Sequence, residues 1–275
     1  MSQLAFAVLF AVFIWWFSTG IVLLLNRMSR GAVALSLFLS SLLSLLALAG
    51  LAHTAQQTTV AGAYCAFTSA LLVWGWHELS FLTGWVTGPR KTALPPALSE
   101  GRRFVESVRA ILWHELAIIA AGLAIVAITW EAPNTVGRDT FLVLWVMRTS
   151  AKLNLYFGVR NLSEQFLPAH LAYLESFFRR RPMNLLLPVS VTAASALLAF
   201  MVVQARDPAM PPAVAIGHTL VATLLALAIV EHWMLVLPLD TTALWRWAMS
   251  RRAATVAAPI PKLSLDADEN LLRAR

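Results

Sequence analysis

The chain has 275 residues, 59% hydrophobic and only 13% charged, with a mean hydropathy of +0.71. That balance excludes an ordinary soluble domain, which carries about twice this share of charged residues. The net charge of +7 does not point to nucleic acid, because the basic residues are spread through loops and are not gathered on one module with interleaved aromatics. The single cysteine, Cys65, excludes a disulfide framework and any CxxC motif. Lying in an apolar run, it reads as a small buried side chain.

A spanning helix needs about 20 mostly apolar residues, and seven such runs can be marked off. The expected fold is therefore all-α: a polytopic membrane protein with a bundle of seven transmembrane helices in one domain, residues 1–250. Segment one, 4–25, follows Met1-Ser2-Gln3, which carries no basic residue, so it reads as a retained helix and not a signal peptide. After the basic loop Asn26 to Gly31 comes segment two, 32–52, whose Ser36, Ser40, Ser41 and Ser44 suit close helix packing. Segment three, 60–86, contains Trp74-Gly75-Trp76-His77-Glu78-Leu79. A basic loop with Pro95-Pro96 leads to segment four, 110–130, with its helix starting before the bilayer near Phe104. This segment repeats the four letters as Trp113-His114-Glu115-Leu116.

Segment five, 140–159, is interrupted by Arg148, Lys152 and Asn154, with the two cations four apart on one face. In the connection from Arg160 to Asn184, Phe166, Leu167, His170, Leu171, Leu174, Phe177 and Phe178 recur at roughly helical spacing before Arg179-Arg180-Arg181. That pattern predicts an interfacial amphipathic helix. Segments six, 185–205, and seven, 213–239, follow, and the last contains the reversed motif Glu231-His232-Trp233. Thr241 to Arg252 reads as a second surface helix, and residues 251–275 as a polar cytoplasmic tail. Seventeen of the 21 Lys and Arg lie in loops one, three and five and the tail. The positive-inside rule then places the N-terminus outside, in the periplasm, and the C-terminus in the cytoplasm.

An ionisable side chain at membrane depth costs at least about 2.5 kcal/mol on insertion scales, so the His/Glu pairs need partners or a purpose. With a rise of about 1.5 Å per residue, His77-Glu78, Glu231-His232 and Lys152 lie about 12–15 Å from the cytoplasmic edge, and His114-Glu115 about 8–9 Å. They form one polar layer. Three readings fit it. Glu78, Glu115 and Glu231 can form a structural ion network with Arg148 and Lys152. His and Glu can ligate a metal, although no HExxH is present, since Phe81 and Ile118 stand where the second histidine would be, and no Glu-x-x-His either. Finally, a histidine beside Trp74, Trp76, Trp113 or Trp233 can hold the magnesium of a chlorin while indoles pack its edge. Interfacial belting explains Trp130, Trp245 and Trp247 but suits Trp74 and Trp113 less well. Asn154 and Tyr156 can line the same cavity. His218 reads as a packing residue, and His53 and His170 as solvated.

Several long runs carry a resemblance. They are Trp15-Trp16-Phe17-Ser18-Thr19-Gly20, Thr58-Thr59-Val60-Ala61-Gly62-Ala63-Tyr64, Val73 to Gly84, His114-Glu115-Leu116-Ala117, and Phe141 to Asn184 with Met147-Arg148 and Ala151-Lys152-Leu153-Asn154. In these runs, which cover about Leu4 to Leu239, the chain resembles the PuhE-type photosynthetic complex assembly proteins of purple phototrophic bacteria. The resemblance implies a bacterial inner, or intracytoplasmic, membrane protein. It would act in assembly of the reaction centre and core light-harvesting antenna, or in bacteriochlorophyll supply. Its partners would be reaction centre or antenna subunits or other assembly factors, besides the lipid bilayer. It carries over no catalytic residues. The alternative from another class is a membrane-embedded metal-dependent hydrolase or oxidase using the His/Glu cluster.

Overall fold

The computed structural model describes residues 2–249; the expected polar tail at 251–275, with Arg251 and Arg252, lies outside them. Seven long helices follow in order: α1 Gln3–Leu25, α2 Arg30–Thr54, α3 Val60–Leu82, α4 Glu100–Ile128, α5 Val136–Phe157, α6 Leu186–Arg206 and α7 Pro212–Met234. A single turn, α8 Arg246–Met249, ends the described chain. Their starts are local chemistry. The side chains of Ser2, Ser29 and Thr59 accept hydrogen bonds from the amides of Ala5, Ala32 and Gly62, and Pro212 opens α7. Gly158, at φ 117°, ends α5 where a side chain would be strained. The Asn184 side-chain amide then donates to the Gly158 carbonyl, and also to the Asn154 carbonyl, which already accepts from the Gly158 amide.

Five of the seven, α1, α2, α4, α6 and α7, are long and apolar enough to cross a membrane. The chain is a multi-pass membrane protein. Helices α3 and α5 are equally long but fall short in apolarity, so composition bears out five of the seven expected spans. Packing supplies the reason: α3 touches α1, α2, α4, α5 and α7, and over half of its residues are buried. A helix screened by its neighbours has little lipid to match and can carry polar groups.

Lipid competes with side chains for apolar contact, so close packing rather than water exclusion holds such helices together. Small residues make it possible. Ala7 and Ala11 of α1 and Ala63 of α3 surround Phe67, Leu220 and Leu224. Between α2, α3, α4 and α5, Ala47, Ala66 and Ala70 pack with Ile118, Ile125 and Phe141. A third cluster joins α5, α6 and α7 through Met147, Val191, Met201 and Leu225.

The polar connections depart most from expectation. Between Arg160 and Asn184 the structure has 3-10 helix at Glu164–Phe166 and Ala169–Phe177, not an amphipathic α-helix lying on the membrane. Its Leu171, Leu174 and Phe177 are buried against Leu23, Phe81, Leu82, Ala110 and Trp245, so the segment closes the basic end of the bundle. The anticipated helix at 241–252 is likewise a 3-10 turn, Thr241–Trp245, followed by α8. Trp245 is therefore not a belt residue. It is buried, donates to the Trp16 carbonyl and meets Trp15 edge-on. Cys65 also differs from expectation: it is exposed.

Helix α3 ends at Leu82, four residues early, because Thr83 and Gly84 turn the chain. That turn delivers Thr87 and Gly88 onto α4. The His114 amide donates to the Thr87 carbonyl at 2.9 Å, and a Cβ on Gly88 would lie 2.0 Å from the Arg109 carbonyl oxygen. Only glycine fits there.

Candidate functional site

Neighbours on an α-helix point about 100° apart, and this separates the roles within each Trp/His/Glu triplet. In α4, Arg103, Ala110, His114, Ile118 and Ile125 form one buried stripe. His114 points inward, only 1% exposed, with its ring against Phe81. Trp113 is turned out and half-exposed, while Glu115 is turned towards α5. Helix α3 repeats the arrangement. His77 is 3% exposed between Trp76 and Phe141, and Glu78 faces α5. Trp76 donates its indole N–H to Ser41 Oγ of α2 at 2.8 Å. Trp74 is buried edge-on to Phe141 and belongs to the core. In α7, His232 is buried and Trp233 is half-exposed.

The carboxylates meet the cations of α5. Arg148 Nη2 lies 3.0 Å from Glu78 Oε2, and Lys152 Nζ lies 2.6 Å from Glu115 Oε1. These two bridges tie α5 to α3 and to α4. Glu231 instead accepts from the Trp15 indole N–H at 3.2 Å, which ties α7 to α1. Sequence reasoning missed that partner, since nothing in segment one separates Trp15 from Trp16.

His232 is anchored differently. Its Nδ1 lies 2.8 Å from the Ala228 carbonyl, which can only accept, so in the neutral ring Nε2 accepts from Ser150 Oγ at 2.9 Å. Ser150 also bonds Ser190 of α6 and lies beside Asn154, whose amide donates to the Ser150 carbonyl at 3.0 Å. Asn154 thus belongs to an α5–α6–α7 knot. Tyr156 lies under the Arg103 guanidinium, 4.2 Å from its ring centre. Arg103, buried at the foot of the His114 stripe, donates to the Phe177 carbonyl at 2.5 Å and so pins the 3-10 segment to α4. Its place on that stripe was a sequence signal that went unread.

The histidines do not form one ligand set. Among the described residues no group of three or more His, Cys, Asp or Glu is arranged to hold a metal ion. His77 and His114 each have an unpartnered Nδ1, but both rings are enclosed, and both nitrogens of His232 are engaged. Axial ligation of a chlorin therefore does not fit these imidazoles. Of the other three, His53 is exposed and bonded to Gln57. His170 is exposed too, but its Nε2 is tied to the Leu82 carbonyl at 3.0 Å. His218 is half-buried, with Nδ1 unpartnered.

The polar layer is open. Arg148 stands two turns beyond Phe141 on one stripe of α5, and Glu231 two turns beyond Leu224 on α7. Phe141 and Leu224 are sealed in the core, whereas the Arg148 side chain keeps 44% of its surface accessible and Glu231 is exposed. Towards the basic end, the cluster around Leu171, Phe177 and Trp245 closes the bundle.

Comparison with known proteins assigns the chain. Residues 1–256 match the family described as "Protein of unknown function (DUF3623)". The chain belongs to the DUF3623 family. A relative from Rhodobacter capsulatus, named "Uncharacterized 30.4 kDa protein in puhA 5'region", is 41% identical over 257 residues, covering 91% of this chain and 93% of its own. No solved structure matches.

Proposed function

We propose that this DUF3623 protein is a non-enzymatic assembly factor for the photosynthetic reaction centre and its core antenna in a bacterial inner membrane. The observation that carries this reading is the relative encoded in a photosynthesis gene region, 41% identical over nearly the whole chain. It agrees with the resemblance read from the sequence. In this reading all seven long helices span the membrane, with the N-terminus in the periplasm; α3 is largely screened by its neighbours, and the cations of α5 are paired with carboxylates of α3 and α4. The ion pairs Glu78–Arg148 and Glu115–Lys152 serve as internal struts. The half-exposed indoles of Trp113 and Trp233 serve as contacts for a partner subunit or for a pigment carried to it, since aromatic anchors dominate such interfaces.

The test is to express Trp113→Ala and Trp233→Ala variants in a phototrophic bacterium lacking its own copy of the gene. Both proteins are expected to reach wild-type abundance in the membrane, while the near-infrared absorbance of reaction centre and core antenna falls several-fold. Full complementation by the double variant would reject the indole contacts. Stoichiometric zinc or iron in the purified protein would instead favour the metal-enzyme reading.

A further inference from the structure

We propose that the first turns of α4 hold the phosphate of a net-anionic ester, an anionic phospholipid headgroup in the leaflet at the basic end being the best-matched source. The site is a cavity of about 400 Å³ lined by Arg90, Leu98, Gly101, Arg102, Val105 and Glu106 among others. Its charge is not balanced. Glu106 is already shared by Arg90, at 2.8 Å, and Arg109, at 2.9 Å, while Arg102 has no ion pair or hydrogen bond among the described residues. Arg90 also keeps a buried Nε without a partner. Two lining guanidinium groups against one carboxylate leave a net positive cavity, and the fork geometry of arginine suits phosphate oxygens.

The backbone adds to this. Ser99 precedes α4 without capping it through its side chain, so the first-turn amides have no side-chain acceptor. The space around Gly101 is open, leaving room for an anion to approach them. The apolar surface beside the cavity favours a lipid over a free phosphate. Val105 is at once part of the lining and exposed, and on the helix it leads to Val108, Leu116 and Leu123, all exposed. A headgroup in the cavity would lay its acyl chains along that stripe. Basic pockets of this kind at membrane-helix ends suit anionic headgroups.

The experiment is native mass spectrometry of the full-length protein, delipidated in detergent and titrated separately with phosphatidylglycerol, phosphatidylcholine and inorganic phosphate. One phosphatidylglycerol per protein is expected to bind with clear preference over phosphatidylcholine, and Arg102→Glu is expected to weaken it at least about tenfold. Arg102 is exposed and makes no described contact, so the variant should fold. Lys91→Glu, on the same loop but outside the lining, should change binding less than about threefold. Binding of inorganic phosphate with the same dependence on Arg102 would support the phosphate site while assigning it to a soluble source. Equal binding of both lipids, or equal losses from Arg102→Glu and Lys91→Glu, would overturn the proposal in favour of diffuse surface charge.

Discussion

At the scale of single residues, the chemistry of the Trp/His/Glu triplets follows from helical geometry. Three consecutive side chains cannot share a face, so the histidine takes the buried stripe and the tryptophan and glutamate diverge from it. The glutamate then needs a partner of its own, and α5 supplies one for each of the first two triplets. Removing one member of such a pair strands the other. A fully buried pair broken this way costs about 3–5 kcal/mol. The Lys152–Glu115 pair should cost somewhat less, because 21% of each side chain stays exposed. Lys152→Met is therefore expected to lower the amount of folded protein in the membrane several-fold, and adding Glu115→Leu should restore much of it. Quantitative immunoblotting of membranes checks this; a single variant as abundant as wild type would show that the bridge carries no structural weight.

At the scale of elements, the informative piece is the connection from Arg160 to Asn184. Its apolar residues recur at a spacing that suits a helix lying on the membrane, yet it is wound as 3-10 helix and sunk against the bundle. Long-range contacts override the local pattern. Arg103 reaches across from α4 to the Phe177 carbonyl, the Ser176 hydroxyl accepts from the Leu94 amide, and the Arg179 amide donates to Leu155 of α5. Such partners are remote in the chain, and no window of sequence contains them. Because Phe177 is buried there, Phe177→Ala should cost about 3–5 kcal/mol of docking energy. Limited proteolysis should then cut between residues 160 and 184 well before the bundle unfolds. Unchanged cleavage kinetics would mean that the segment is held by its polar contacts alone.

At the scale of the whole molecule, the question is how many helices cross and in which direction. The five apolar helices identify themselves, whereas α3 and α5 do not reach that apolarity and their crossing is open to test. Seven crossings would leave the two ends on opposite sides, as would five, whereas six would put both on one side. A cytoplasmic-fluorescence reporter at the C-terminus should be bright, and an alkaline phosphatase fused there should be inactive; at the N-terminus the pattern should invert. Both ends on one side would reject seven spans, and a full inversion would reject the orientation.

The sequence by itself determined that this is a helical membrane protein, where its apolar segments lie, and that carboxylates and cations fall at one depth. Apolar runs, caps and the 1.5 Å rise are local properties, so they can be read without coordinates. Only the tertiary structure decided the pairing: Glu78 with Arg148, Glu115 with Lys152, and Glu231 with the Trp15 indole. Depth sets the height of a side chain along its helix, but partnership also depends on which helices are neighbours and how each is rotated. Those depend on how small residues such as Ala7, Ala11, Ala63 and Ala66 let particular helices approach. The same contacts enclosed His77 and His114 and left Arg148 and Glu231 accessible, a distinction to which composition and spacing are blind.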